Sequence, residues 1–151
     1  MLKRISLCVT SSLVLACAPA AHAHIVDNVL EHSAPNAALQ LTPIGSHESG
    51  VLGKSAAEIV AYHAASQRVL TVNARSGEID ILDASDPTQP QKIGAISAGG
   101  DKEINSVAVR PDGLAVAAVQ QADKTDNGEA LFFNAETGEE LGRVGVGALP
   151  D

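Results

Sequence analysis

Aromatic side chains are nearly missing from this sequence: two Phe, one Tyr and no Trp in 151 residues. A core without large rings must be assembled from Ala, Val, Ile and Leu, which favours close-packed layers over a few large anchors. Cysteine is equally scarce. Cys8 and Cys17 both fall within the first 23 residues, so a chain shortened to His24 has no thiol for a disulfide or a thiolate metal site. Positive charge is the third deficit. Lys and Arg number 10 against 18 Asp and Glu, the formal net charge is −8, and no acid precedes His24. Such a surface repels phosphate backbones, which excludes nucleic acid as an expected partner and favours cations or cationic partners. Long apolar runs are missing as well. The longest, Ile5 to Ala18, is too short to cross ~30 Å of hydrocarbon, so no transmembrane span is expected.

What is present begins with an address. Lys3 and Arg4 precede the apolar run, and Ala21-His22-Ala23 places small residues where a signal peptidase needs them. Residues 1–23 read as a secretory signal cleaved after Ala23, giving a periplasmic or secreted protein. Val14-Leu15-Ala16-Cys17 offers a rival reading as a lipoprotein site, with a lipid anchor at Cys17. Residues 24–57 form a leader in which Ala38–Ile44 alternates enough for a strand. Pro35 and Pro43 confine that strand to a sheet edge, where it would serve to close the N-terminus.

From Glu58 the pattern changes to short apolar runs bounded by turn chemistry. The first group is Ile59–Tyr62, Arg68–Asn73, Glu78–Asp83 and Lys92–Ser97; the second is Ile104–Val109, Leu114–Gln120, Ala130–Asn134 and Leu141–Val146. Helices are excluded by the length of these runs and by their Gly, Pro and Asn-Gly punctuation. Pro111-Asp112-Gly113, Gly77 and Asn127-Gly128 are expected to make the tight turns, the glycines and Asn127 supplying positive φ. Glu58 falls on Asn105 and Asp83 on Asn134 when the groups are aligned, a period of about 50 residues. The fold class is all-β, a partial β-propeller of about two four-stranded blades plus the N-terminal strand. The units are residues 58–103, residues 104–147, and residues 148–151 as the start of a further blade.

Strands such as "SVAVRPDGLAVAAV" are apolar on both faces, which suits a sheet covered on both sides. Two blades alone would leave outer faces of roughly 400 Å² uncovered, forgoing about 10 kcal/mol of burial each. The expectation is a piece truncated from a ring of about seven blades. A self-contained sandwich of eight or nine strands is the alternative.

The stretches "GVLGKSAAEIVAYHAASQRVLTVNARSGEIDILDASDPTQPQKIGAI", "INSVAVRPDGLAVAAV" and "VGVGALPD" together resemble the N-terminal part of the choice-of-anchor I family. "SAAEIVAY" and "GALPD" are its more specific pieces. The resemblance implies an exported, propeller-like protein of the cell envelope, acting as a binding or scaffold module for an extracytoplasmic protein or ligand. Because some relatives carry an alkaline-phosphatase label, it also implies an alternative, a phosphoesterase hydrolase in the full-length protein.

Glu58, Asn105 and Asp151 hold the same place in successive units, at the start of the innermost strand near the mouth of a central channel. Oxygen ligands arranged around that axis would suit Ca²⁺ or Mg²⁺. The competing reading is that polar groups there hold channel water and cap strand ends. Asp123 to Glu129 mimics the opening of a calcium loop, but its twelfth position is Asn134, so an elaborated hairpin turn is the better reading. His24 would be a new N-terminus able to chelate copper, but no second histidine stands at a matching spacing. There is no nucleophile elbow, Walker loop or zincin helix; "GSHESG" is not G-x-S-x-G.

Overall fold

The computed structural model describes residues 36–39, 41–49 and 56–151. The signal over residues 1–23, the Cys17 lipid site and His24 lie outside the described residues. Eight strands follow in chain order: β1 (Ala57–His63), β2 (Arg68–Asn73), β3 (Glu78–Asp83), β4 (Gln91–Ser97), β5 (Glu103–Val109), β6 (Leu114–Gln120), β7 (Asn127–Asn134) and β8 (Glu140–Ala148). They form two four-stranded antiparallel meanders, β1-β2-β3-β4 and β5-β6-β7-β8. All eight expected strands are present, and no helix occurs among the described residues. The fold is all-β, consistent with propeller-like blades.

The pairing registers show a structural repeat. In each sheet the first strand carries a bulge: Glu58 and Ile59 together oppose Val72, and Asn105 is the extra residue between the pairs Ile104↔Val119 and Ser106↔Ala118. The fourth strand carries another, at Ile93 in β4 and Leu141 in β8. The turns repeat too. In Asn73-Ala-Arg-Ser-Gly77, Asn73 Oδ1 accepts from the backbone N–H of Arg75 and Ser76, and Gly77 N–H bonds back to Asn73 O. Asn134-Ala-Glu-Thr-Gly138 makes the same bonds. Both glycines have positive φ, 67° and 74°, where a side chain would be strained.

The two sheets pack through β5 against β1, β2 and β3. Leu70, Val72, Ile79, Ile81 and Ile96 of the first sheet meet Ala115, Ala117, Val119, Leu131 and Phe133 of the second in one core. Small residues on β6 let the sheets approach closely, as the shortage of aromatics required. Polar contacts tie the interface at opposite ends. His63, at the end of β1, bonds to Pro111 O in the β5–β6 turn at 3.2 Å. Arg143 of β8 donates to Ala98 O, just beyond β4, at 2.8 Å.

Two expectations are corrected. No strand forms over the described residues of Ala38–Ile44; Leu39, Leu41 and Ile44 are exposed, and Pro43 has no N–H to give a ladder. The leader instead runs across the outer side of the first sheet, where Gly45 is pressed against the backbone of Pro87 and Thr88 so closely that no Cβ fits. Nor do Asn127 and Gly128 adopt positive φ. They are the first residues of β7, and glycine is needed at 128 because a Cβ would lie 2.5 Å from Val119 O and 2.6 Å from Pro150 Cδ.

Candidate functional site

Glu58 and Asn105 share more than a sequence alignment: both sit at the bulge of the first strand of their sheet. A bulge turns an extra side chain out of the ladder, which makes it a natural place for a polar group with a task. Their surroundings differ. Glu58 is exposed on β1. Asn105 is half-buried, and its Nδ2 donates to Gln120 Oε1 at 3.1 Å and to Pro150 O at 2.9 Å. Gln120 Nε2 in turn donates to Glu103 Oε2 at 2.6 Å. The chain Glu103–Gln120–Asn105–Pro150 ties the end of β8 back to the start of β5. Asp151 is exposed and follows directly, at the rim of a cleft of about 290 Å³ shared with Ser106, Val116 and Ala130. Asn105 and the Pro150-Asp151 segment are thus brought together. Among the described residues no three His, Cys, Asp or Glu side chains gather as metal ligands.

In the Asp123–Glu129 stretch, Asp123 Oδ1 accepts from the Thr125 N–H at 2.9 Å and from its hydroxyl at 2.7 Å. Those bonds hold the Asp123 carboxyl below the usual carboxylate range. Asp86 and Thr88 make the same closure between β3 and β4. The loop is a turn braced by its own side chains.

A second polar site lies on the outer face of the first sheet and was not among the residues singled out from the sequence. Asp80, in the middle of β3, is 8% exposed. Its Oδ1 accepts from Lys92 Nζ at 2.6 Å and its Oδ2 from Asn73 Nδ2 at 3.0 Å. A buried carboxylate needs such partners. The leader residues His47 to Ser49 stand over this triad, leaving a cleft of about 340 Å³ that also takes in Arg75 and Ser76. The signal for it was available: Asp80 interrupts the run "EIDILD", where alternation alone places it on one face with Leu82.

His63 was also passed over. It is 6% exposed, with Nδ1 2.6 Å from Ser66 Oγ. Because Pro111 O can only accept, Nε2 carries the proton and Nδ1 accepts from the Ser66 hydroxyl. Glu129 completes the inventory. It accepts from Lys102 Nζ at 2.7 Å and from Arg143 Nη1 at 3.1 Å. These two cations, Lys102 first, hold its carboxyl below the usual range, and the Glu140 and Glu129 carboxylates raise Arg143 further. No helix among the described residues is long and apolar enough to cross a membrane.

Comparisons with known proteins bear on the same region. No curated protein matches the chain. A crystal structure of a protein of unknown function from Bacteroides caccae is similar at 20% sequence identity and a TM-score of 0.44, over 59% of this chain and 28% of that one. The chain therefore spans a little over a quarter of that protein's length. The family model of the Choice-of-anchor I domain matches residues 58–151, from the first-strand bulge of β1 through β8 and the segment that Asn105 holds, and the chain belongs to the choice-of-anchor I family.

Proposed function

We propose that this protein is an exported cell-envelope module that binds or scaffolds an extracytoplasmic partner, its two sheets acting as propeller blades that hold turns at either end of the strands. The observation that carries the reading is the family match over residues 58–151, joined to a repeat whose turns are braced by Asp and Asn side chains. Stiff polar turns on a packed scaffold are how loops are commonly presented for recognition. The signal-like start, with Lys3, Arg4 and Ala21-His22-Ala23, supports export. In this reading Glu58, Asn105 and Asp151 mark the ends of inner strands.

Two measurements test it. Fusing residues 1–23 to a reporter that is active only outside the cytoplasm should give activity, and replacing Ala21 and Ala23 by bulky residues should block cleavage. Cys17→Ser should leave release of the protein unchanged if export is soluble and abolish membrane retention if Cys17 is lipidated. The module reading is overturned if the purified protein hydrolyses an aryl phosphate and loses that turnover to a chelator.

A further inference from the structure

The outer face of the second sheet is a copy, position by position, of a face that the first sheet buries. Aligning the registers through the shared bulges places Val116 on Leu70, Ala118 on Val72, Ala130 on Ile79, Phe132 on Ile81 and Val144 on Ile96. In the first sheet these five are 0–6% exposed because the second sheet covers them. In the second sheet their counterparts are as apolar, yet none is fully buried, and Val144 is 56% exposed. No charged side chain interrupts them. A continuous apolar sheet face of this kind marks an interaction surface.

We infer that in this 151-residue chain the face is covered by the same face of a second copy, forming a closed two-fold dimer. The inference goes beyond the binding-module reading and does not depend on it. Polarity selects the occupant. A head-to-tail arrangement would set Phe132 and Val144 against the remaining outer face of the first sheet. That face carries the buried Asp80–Lys92–Asn73 triad and lies beneath the leader at Gly45 to Ser49. Covering a charged pair with apolar surface strips it of water without adding partners. The two-fold image of the apolar face has no such mismatch, and a two-fold contact closes on itself. The precedent is internal: the equivalent face of the first sheet already packs on an apolar sheet in this chain. Four strands of about seven residues offer on the order of 450 Å² per copy. That is about half the ~800 Å² per partner of a standard stable interface, so the dimer is reversible and depends on concentration.

Sedimentation equilibrium of the full chain, from low micromolar to several hundred micromolar, tests this. The weight-average mass should rise from one chain to two and stop there. Phe132→Lys should remain a monomer at the highest concentration while keeping its strand circular dichroism, and Phe132→Leu should still dimerise. Should Phe132→Lys fail to fold, Val144→Glu serves the same purpose, since a side chain 56% exposed contributes little to folding. A wild-type chain that stays monomeric overturns the inference. So does a dimer that both charged variants leave intact, growth beyond two copies, or a monomer that floats with phosphatidylcholine vesicles, which would assign the face to a lipid surface.

Discussion

The two sheets share strand order, hairpin plan and the placement of two bulges, yet they use their faces in opposite ways. Position by position, Asp80 stands where the second sheet has Leu131, and Leu82 where it has Phe133. Leu131 and Phe133 are fully buried against the first sheet. Asp80 faces the leader and survives there only with Lys92 and Asn73 attached. The backbone pattern is therefore indifferent to polarity, and each face takes its chemistry from what covers it. A sheet repeat can be copied with its hydrogen bonding intact while the copy's outer face is rewritten for a new neighbour.

Exchanging the two residues breaks the comparison most severely. Leu131→Asp puts a carboxylate without partners into a fully buried site and should destabilise by about 4 kcal/mol or more, leaving the chain largely unfolded. Asp80→Leu should change stability by only about 1 kcal/mol in either direction, because Lys92 is 40% exposed and can turn to water. Urea midpoints measured by circular dichroism check both. Comparable losses in the two variants would mean that the leader side is as dry as the core.

The next contrast concerns the covered and open copies of one face. Ile81, 4% exposed, should cost about 2–4 kcal/mol when cut to Ala. Phe132→Ala removes more atoms but should cost about 1 kcal/mol in the monomer, because its face is open. A larger loss at Phe132, seen only at high protein concentration, would report the dimer and not the fold.

The first-strand bulges give a smaller pair. Asn105→Ala loses two hydrogen bonds, to Gln120 and Pro150, and should cost about 1–2 kcal/mol. Glu58→Ala, at the exposed counterpart, should stay within about 0.5 kcal/mol. Thermal melts with and without calcium sharpen this. A calcium-dependent rise that disappears in Glu58→Ala would support cation binding at these bulges.

These pairs also show how far the fold could be read from the residues. Short apolar runs, Pro111-Asp112-Gly113 and the two Asn-Ala-x-[Ser/Thr]-Gly turns were legible because local chemistry determines them. The alignment of Glu58 with Asn105 was legible for the same reason, and the bulges account for it. Gly128 was misread because a close approach by Pro150, 22 positions along the chain, leaves no local mark. The leader at Ala38–Ile44 was misread as a strand because alternation records a preference and not the presence of an edge to pair with. Asp80 and His63 went unnoticed for a related cause. Their partners Lys92 and Pro111 lie on other strands or turns, so only the assembled sheets show what they do.

Glu129 offers the smallest test and the one with a defined pH sign. It occupies the position of Glu78 in the first sheet, but it alone of the two is held by Lys102 and Arg143. Its carboxyl is held below the usual range in the folded protein, so the folded state binds fewer protons there than the unfolded chain does. That contribution to stability is complete above the unfolded carboxylate value of about 4.3 and is lost as pH falls through the lower folded value. Its size should be about 1 kcal/mol or less, since the pair is partly open to solvent and screened by salt. Melting temperatures of the wild type and Glu129→Gln should therefore differ at neutral pH and converge in acid, with the gap narrowing at high salt. Glu78→Gln should show neither the gap nor the convergence. If the two substitutions behave alike, the cations around Glu129 contribute nothing measurable, and the contact of Arg143 with Ala98 O must hold that end of the interface without them.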